Sequence, residues 1–280
     1  MPPKLRRFPY IHQLYLYARL RQGYPQGVIF SVDRAARSRP CPAPLLYLWR
    51  MAKRNKLQKF AEVLSFPNVY ENFDPRAPEL VGRNGEPVVL KGRWNERHFG
   101  RSAPITLELA CGGGEYTLEL GRRYPERHFI GVDIKGARIW KGARVALAEK
   151  LDNVAFLRTR IEQIAYFFAP GEVDEIWITF PDPFLRKSKA NRRLTATPFL
   201  DRYKQILRPG GVVQLKTDER RLYDFTQEVL AGRQDVRILR ATTDLYAEDW
   251  ADAELGIKTY YENLHIAPGD RITYLQFRLG

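Results

Sequence analysis

Between residues 105 and 231 the sequence alternates short apolar runs with longer stretches of helical spacing, and this alternation constrains the fold more than any other feature. The apolar runs predict strands at residues 105–109, 129–134, 154–157, 175–179 and 212–217. The other stretches predict helices at residues 116–124, 136–150, 161–168, 198–207 and 219–231. Because strands alternate with helices, the sequence predicts an α/β fold with a mostly parallel sheet covered on both faces.

Two more apolar runs lie near the C-terminus, at residues 236–242 and 272–278. They leave no room for another crossover helix between well-separated parallel strands, so we expect an antiparallel pair that closes a seven-stranded sheet. Arg208-Pro209-Gly210-Gly211 predicts a turn. Asn84-Gly85 before an apolar run predicts a short hairpin.

Charge and cysteine content limit the partners and the compartment. The formal net charge is +14, which predicts a polyanionic partner. Two cysteines are too few for a disulfide framework and fit a reducing compartment, so we expect a cytoplasmic protein. No run of about 18 apolar residues is present, so we expect no membrane association.

The composition divides the chain into three parts. Residues 1–50 hold seven of the nineteen prolines, nine basic residues and one acid. We expect this segment to be a disordered extension, or not to be native protein with translation beginning at Met51. A basic nucleic-acid arm and a targeting peptide are the alternatives. Residues 51–104 are interpreted as a basic N-terminal arm and connector, and residues 105–280 as the main domain.

A glycine-rich loop, Ala110-Cys111-Gly112-Gly113-Gly114, joins the first predicted strand of the main domain to its helix. Glycines let the backbone approach a ligand closely. The loop lacks the third glycine of the dinucleotide fingerprint and the Gly-Lys-Ser/Thr of a P-loop. A loop without a grip on pyrophosphate suits an adenosine ligand that carries no phosphates.

Two acids follow later strands. Asp133 ends the second strand, where an acid can accept hydrogen bonds from both ribose hydroxyls. Asp182 stands between Pro181 and Pro183, which hold it extended at the edge where open α/β sheets bind ligands. Each feature alone also fits a plain turn. Together with the glycine loop, and in this order, they form the arrangement of class I methyltransferases that use S-adenosyl-L-methionine.

Basic residues surround this candidate site. Five follow the Pro-Asp-Pro segment, namely Arg186, Lys187, Lys189, Arg192 and Arg193. With the basic stretch at 53–59, they would bind RNA phosphates, which gives affinity but no base choice. A solvated helix face is the alternative.

Two late segments add carboxylates and hydroxyls near the same edge, Lys216-Thr217-Asp218 and residues 258–262. Carboxylates are natural acceptors for the N1–H and N2–H₂ donors of guanine. For Asp218, the alternative is a helix N-cap.

On these motifs, residues 51–280 resemble the bacterial tRNA (guanine-N7-)-methyltransferase family. The resemblance covers the motifs above, together with Phe66-Pro67-Asn68-Val69 and residues 187–195. It implies a Rossmann-like class I methyltransferase domain at 105–280, S-adenosyl-L-methionine as cofactor, tRNA as partner and no metal. The implied reaction is methyl transfer to N7 of a guanosine in the variable loop of tRNA, at position 46.

The resemblance also implies roles for individual residues. Asp182 matches the acid assigned to catalysis and cofactor contact. The other cofactor-binding positions are Glu108, Gly112, Gly114, Asp133 and Arg160. The substrate-binding positions are Arg186, Asp218, Thr259, Tyr260, Tyr261 and Glu262.

The chain departs from the family pattern at four of these motif positions. Arg160 stands where many members carry an acid that contacts the adenine end of the cofactor, and Arg186 stands where members carry a lysine. Phe184 replaces a tryptophan, which keeps an aromatic wall but loses an indole N–H. Ala110 replaces the first glycine of the loop. The methyl group of alanine is permitted at this position if φ there is negative.

Other functions remain open from the sequence. The first alternative is a methyltransferase that acts on another RNA, a protein or a small molecule. The second is an RNA-binding protein that keeps the fold without the activity. An NAD-dependent oxidoreductase is disfavoured, because the third glycine and a catalytic Tyr/Lys pair are missing.

Overall fold

The expected strands lie in a single sheet of the computed structural model, which describes residues 55–72, 74, 76–267 and 269–280. Our predictions for residues 1–50, and for the part of the arm at 51–54, fall outside the described residues. The strands are β1 (Val69–Glu71), β2 (Leu80–Val81), β3 (Pro87–Val88), β4 (Ile105–Leu109), β5 (His128–Asp133), β6 (Val154–Arg158), β7 (Val173–Thr179), β8 (Leu207–Thr217), β9 (Val236–Thr242) and β10 (Thr273–Leu279).

The sheet has the order β3-β2-β1-β6-β5-β4-β7-β8-β10-β9. Strands β4 to β8 run parallel to one another, and β10 lies antiparallel to both β8 and β9. This confirms the mostly parallel core and the antiparallel C-terminal pair. The connector adds three short strands that the sequence did not predict as part of this sheet. Strand β1 pairs parallel to β6, and the predicted hairpin forms β2 and β3.

Helices cover both faces of the sheet, as predicted. Those in the described residues are α1 (Lys56–Val63), α2 (Glu115–Arg123), α3 (Gly136–Glu149), α4 (Ile164–Phe167), α5 (Thr197–Ile206), α6 (Arg220–Ala231) and α7 (Tyr260–His265). One buried cluster joins strand residues such as Ile178 to Leu200 of α5 and Leu222 of α6. A second joins Trp177, the residue before Ile178, to residues of α2 and α3. Successive side chains of a strand point to opposite faces, so both layers are packed.

The predicted turn at 208–211 is wrong in one respect. These residues belong to β8, but the ladder with β7 passes from Val173↔Leu207 directly to Glu175↔Val212. The extra residues therefore bulge from the strand, and Gly210, with a φ of 76°, accommodates the bend. The two glycines marked an irregularity in the strand and not its boundary.

Phe156 of β6 packs against glycines from three separate elements. A Cβ added at Gly114, Gly131 or Gly142 would lie 2.4, 2.9 or 2.8 Å from its ring. At Gly142 the same Cβ would also lie 2.4 Å from the backbone oxygen of Gly113. The ring is fully buried. Only glycine at these positions lets the glycine loop, β5 and α3 approach one another around this ring.

The described part of the predicted basic arm forms helix α1, which is docked on α3. Asn55 caps it, since its side chain accepts from Gln58 N at 2.9 Å and its own N–H donates to Gln58 Oε1 at 3.0 Å. Trp140 Nε1 of α3 donates to Glu62 Oε2 at 2.9 Å. The Lys59 ammonium lies 5.0 Å from the centre of the Trp140 ring. Contacts within the protein therefore hold this part of the arm.

Two histidines are packed among aromatic rings at the opposite edge of the sheet from the predicted site. His98 Nδ1 and the Tyr70 hydroxyl are 2.7 Å apart, and the rings of Phe99 and His128 stack at 3.9 Å. Burial lowers the pKa of His98 and of His128 from 6.5 to about 4 in each case. Both imidazoles are therefore neutral in the folded protein above about pH 4.

These histidines predict that folding stability falls in mild acid. Because their pKa values are lower in the folded than in the unfolded protein, the unfolded chain binds more protons between about pH 6.5 and pH 4. The free energy of unfolding should drop across this window by roughly 1–3 kcal/mol per histidine. Urea titrations at several pH values measure it. His98→Gln should flatten the slope, and an unchanged slope would contradict this assignment.

Candidate functional site

The carboxyl ends of the central strands form one edge, and the predicted site residues lie along it. Leu109 at the end of β4 pairs with Val132 on one side and Ile178 on the other. Thr179 at the end of β7 pairs with Lys216 of β8. The loops after these strands therefore start side by side, which is where open α/β sheets bind ligands.

The glycine loop is tied directly to Asp133. The Gly112 N–H donates to Asp133 Oδ2 at 2.9 Å, and the Lys135 N–H donates to Asp133 Oδ1 at 2.7 Å. A Cβ added at Gly112 would meet no atom within 4 Å, so this glycine borders open space. Asp133 is thus fixed by two backbone groups, and each of its oxygens keeps a lone pair for a further donor.

Ala110 has a φ of 59°, so the condition of a negative φ, under which its methyl group would be permitted, is not met. Its N-terminal neighbour Leu109 ends β4, and the chain must turn sharply to enter the glycine loop. The left-handed region brings Cβ close to the following carbonyl oxygen in an L-residue. The alanine therefore keeps the backbone geometry suited to glycine and carries strain.

Glu108 links the two halves of the edge. Its Oε2 accepts from the Thr117 N–H at 2.8 Å and from the Thr117 hydroxyl, and its Oε1 accepts from the Thr179 hydroxyl at 3.0 Å. Thr117 lies in the first turn of α2, and Thr179 ends β7, two residues before Pro181 of the Pro-Asp-Pro segment. Burial raises the pKa of Glu108 to about 7, against the opposing effect of these hydrogen bonds. The buried Glu108 carboxyl thus connects α2, the helix that follows the glycine loop, to β7.

The end of β6 offers a buried hydroxyl beside the predicted adenosine position. Thr159 Oγ1 is buried and has no hydrogen-bond partner among the described residues, while the Thr159 N–H donates to Asp133 O at 3.2 Å. Arg160, the next residue, is exposed. An orphaned hydroxyl, a fixed acid and an open glycine backbone fit an adenosine ligand with hydroxyl and amino groups.

The Pro-Asp-Pro segment is flanked by two strained aromatic residues. Phe180 has a φ of 46° and Phe184 a φ of 42°, which is unusual for bulky side chains. Phe180 N donates to Lys216 O at 2.8 Å, which extends the pairing of β7 with β8. Between them Asp182 is exposed. Strain of this kind persists only where the surroundings enforce it, and it clusters at functional sites.

Arg193 enforces this geometry, although the sequence analysis placed it among the phosphate-binding residues. It is 8% exposed, and it donates to Pro183 O at 3.0 Å and to Phe184 O at 3.2 Å. Its guanidinium lies 4.3 Å from the centre of the Phe225 ring of α6. Both carbonyls lie within two residues of Asp182, so Arg193 holds the segment from the protein side and is not directed to solvent.

The other four members of the basic run are exposed, in keeping with a phosphate-binding face. Arg186, Lys187, Lys189 and Arg192 all lie on or next to one short 3₁₀ segment, Lys187–Arg192. The Arg192 guanidinium stacks 4.8 Å from the Phe184 ring centre, next to the Pro-Asp-Pro segment. The run therefore divides into one structural arginine and four exposed cations.

The predicted guanosine-binding residues separate into an outer and an inner set. Asp218 is exposed, and Tyr261 OH donates to its Oδ2 at 3.1 Å. The alternative of Asp218 as a helix cap is wrong, because Glu219 caps α6 by accepting from Arg221 N. Thr259 instead caps α7, and Glu262, only 4% exposed, pairs with Lys216 at 3.1 Å. Tyr260 is 59% exposed.

Comparison with known proteins adds the family. A family model described as putative methyltransferase matches residues 102–275. A tRNA (guanine-N(7)-)-methyltransferase of Christiangramia forsetii is 47% identical over 230 residues, which cover 82% of this chain and 100% of that protein. The chain belongs to the tRNA (guanine-N(7)-)-methyltransferase family. This confirms the resemblance described above.

A second member of the tRNA (guanine-N(7)-)-methyltransferase family, from Bacteroides thetaiotaomicron, is 46% identical over 226 residues, covering 81% of this chain and 86% of that protein. Among solved structures, the 16S rRNA methyltransferase KamB matches with a TM-score of 0.52 and 15% identity, covering 69% of this chain and 95% of that chain. That likeness confirms the expected methyltransferase fold. In the described part of the chain, no helix is long and apolar enough to cross a membrane.

The sequence analysis missed two residues that organise this family member's site, Arg193 and Lys216. Arg193 stood in a run of five cations, where nothing distinguished it. Lys216 follows Leu215 in the buried part of β8, which was a usable signal, because a lysine inside a buried strand requires buried acceptors.

The strain at Ala110 predicts that glycine is better at this position. Ala110→Gly relieves the strain of an alanine in the left-handed region of the folded protein. This stabilisation should exceed the destabilisation that comes from the greater conformational entropy of glycine in the unfolded chain, so the free energy of unfolding should rise by about 0.5–1 kcal/mol. Denaturant titration measures the difference. Ala146→Gly in the interior of α3 is the matched control and should lower stability by about 1 kcal/mol. A less stable Ala110→Gly protein would refute the strain.

The role of Arg193 predicts a local loosening when it is removed. Arg193→Met deletes two charge-assisted hydrogen bonds, each contributing about 1.5–3 kcal/mol. Hydrogen exchange of the Phe180 N–H, which donates to Lys216 O at 2.8 Å beside this segment, should therefore accelerate at least tenfold, with the amides of the central strands unchanged. Lys189→Met, in the same basic run but exposed, should leave the exchange of Phe180 unaffected. Equal exchange in both variants would mean that Arg193 does not hold the segment.

Proposed function

We propose that this protein transfers a methyl group from S-adenosyl-L-methionine to N7 of a guanosine in tRNA. The observation that carries the proposal is the 47% identity to a tRNA (guanine-N(7)-)-methyltransferase over that protein's whole length. The strand-edge site supports it, since the glycine loop, Asp133 and the Pro-Asp-Pro segment adjoin one another. The finer proposal is that the target is the guanosine at position 46 in the variable loop, modified in the cytoplasm.

The reaction places limited demands on acid–base chemistry. N7 of guanine presents an in-plane lone pair and no proton, so no general base is needed. When bound, S-adenosyl-L-methionine supplies a methyl group on a positively charged sulfur. Transfer of that methyl group to N7 would leave the neutral thioether as the leaving group and would place the positive charge on the purine. Alignment of the nucleophile is then the main contribution of the protein.

We assign the cofactor side of the site to residues of the glycine loop and its neighbours. Gly112 leaves the backbone open to a ligand, Gly114 packs against Phe156 and fixes the loop, and Asp133 is placed for ribose hydroxyls. Glu108 acts mainly by holding α2 against β7, since its oxygens already accept hydrogen bonds from Thr117 and Thr179. Arg160 is exposed after β6 and is assigned to the adenine end.

Asp182 is the proposed catalytic residue. Its carboxylate is exposed at the strand edge, and Arg193 fixes the backbone carbonyl groups of Pro183 and Phe184 that follow it. A fixed carboxylate there can stabilise the positive charge that develops on the imidazole ring of guanine. It can also orient the methionine amino group of the cofactor.

The tRNA side combines exposed acceptors with exposed cations. Asp218 and Tyr261 form a hydrogen-bonded pair at the surface, with Tyr260 alongside, and are assigned to the guanosine. Thr259 and Glu262 support α7 from inside. Arg186 and its exposed basic neighbours are assigned to phosphates, whose contacts position the RNA and make binding depend on salt.

The function is tested by methyl transfer from labelled S-adenosyl-L-methionine to unmodified tRNA, followed by base-specific strand scission. Scission at a variable-loop guanosine is the expected result. Label elsewhere in tRNA would overturn the finer position alone. Cofactor binding without any label on tRNA would overturn the substrate, and favour a methyltransferase for another RNA or a small molecule.

Asp182→Ala should lower kcat roughly 100-fold or more, because the developing charge loses its fixed counter-charge. Steady-state kinetics with calorimetric measurement of cofactor binding separate the two roles of this carboxylate. Near-normal kcat with weaker cofactor binding would show that Asp182 only positions the cofactor. Asp235→Ala is the control, since Asp235 pairs with Lys204 and Arg233 at the opposite edge of the sheet.

A further inference from the structure

Lys216 is fully buried, which is rare for a lysine. Its ammonium donates three hydrogen bonds, to Leu255 O at 3.0 Å, Ile257 O at 2.9 Å and Glu262 Oε2 at 3.1 Å. An ammonium has three donors, so every one of them is used. The chain therefore provides a complete internal site for this charge, built from the segment that leads into α7.

The same residue also holds the start of the Pro-Asp-Pro segment. Its carbonyl accepts from Phe180 N at 2.8 Å, and its ammonium lies 5.7 Å from the centre of the Phe180 ring. The Phe180 ring in turn lies 5.6 Å from the ring of Tyr261 on α7. Lys216 thus contacts both the residue before the Pro-Asp-Pro segment, which carries the proposed catalytic acid, and α7, which carries part of the proposed guanosine site.

Two bonds join the end of β8 to α7, one buried and one exposed. The buried bond is Lys216 to Glu262, and the exposed bond is Asp218 to Tyr261. Lys216 lies in β8 and Asp218 directly follows its last residue, while Glu262 and Tyr261 are adjacent on α7. The exposed bond alone is weak, because water competes for both partners. The buried bond between Lys216 and Glu262 therefore determines the position of the exposed pair of Asp218 and Tyr261.

Glu262 is held inside the protein by two side chains. It is 4% exposed, its Oε2 accepts from Lys216, and its Oε1 accepts from the Tyr246 hydroxyl. The carboxylate that guanine can reach is that of Asp218. Glu262 is the buried partner of Lys216, and this ion pair fixes α7.

We propose that Lys216 is a positioning residue for guanosine selection, which holds α7 and the Pro-Asp-Pro segment in register so that Asp218 meets the Watson–Crick edge of the base. The inference rests on the proposed function. It assigns no contact between Lys216 and tRNA. The base selectivity of the enzyme would then depend on a side chain that the substrate never touches.

The test compares tRNA carrying guanosine with tRNA carrying inosine at the methylated position. Inosine keeps N7 and N1–H but lacks the exocyclic amine, so an enzyme that pairs Asp218 with that amine should prefer guanosine by about 10- to 100-fold in kcat/KM. Lys216→Met should reduce this preference to within about threefold, since the acceptor is no longer held in place. The dissociation constant of S-adenosyl-L-methionine should change less than threefold.

Two further variants separate positioning from folding. Lys216→Met leaves Glu262 buried without its counter-charge, which lowers stability, whereas Lys216→Met with Glu262→Gln removes both charges. The double variant should regain much of the thermal stability and still fail to discriminate inosine. The double variant also tests the inference if the single variant does not fold. Lys204→Met, which breaks an exposed pair with Asp235 far from the site, should retain full discrimination.

The outcomes are distinct. Loss of discrimination in both Lys216 variants supports the inference. Wild-type discrimination in either folded variant would overturn it and leave Lys216 a purely structural residue. Wild-type protein that methylates no tRNA would overturn the proposed function itself, and the inference with it.

Discussion

The contact between Phe156 and three glycines is the constraint on which the ligand edge depends. The ring fills the space that side chains at Gly114, Gly131 and Gly142 would need. The glycine loop can therefore lie directly against α3 and above β5. Close packing of this kind tolerates little change in volume, so an added methyl group at any of the three would displace the loop. The position of the loop then sets the position of Gly112 against Asp133.

Two buried ionisable groups connect the other segments along this edge of the sheet. Glu108 connects α2 to the end of β7, and Lys216 connects the end of β7 to α7. The Pro-Asp-Pro segment lies between them. Buried ionisable groups contribute little net stability, because desolvation opposes their pairing, but loss of one partner is costly. Glu108 and Lys216 instead position the segments around them, since their hydrogen bonds are satisfied in only one arrangement of those segments.

Backbone strain marks the same edge. Ala110, Phe180 and Phe184 all have positive φ, and all three lie in loops that follow parallel strands. Arg193 and the pairing of Phe180 with Lys216 maintain the two aromatic positions. A strained loop held by buried contacts keeps Asp182 in one place without the freedom of an ordinary surface turn. That rigidity suits a reaction in which alignment contributes most of the catalysis.

The sequence by itself determined the layered α/β fold, the family and the strand edge of the proposed site, because period, loop chemistry and motif order are local properties. It placed Asp133, Asp182 and Asp218 together on one edge of the sheet, since parallel strands end together. It could not show that Arg193 faces inward while Arg192 faces outward, or that Glu262 is occupied by Lys216. Those outcomes depend on which residues distant in sequence meet at the strand ends. Tertiary structure alone decided them, because burial and partner, not residue type, determine whether a charge binds a ligand or holds the fold.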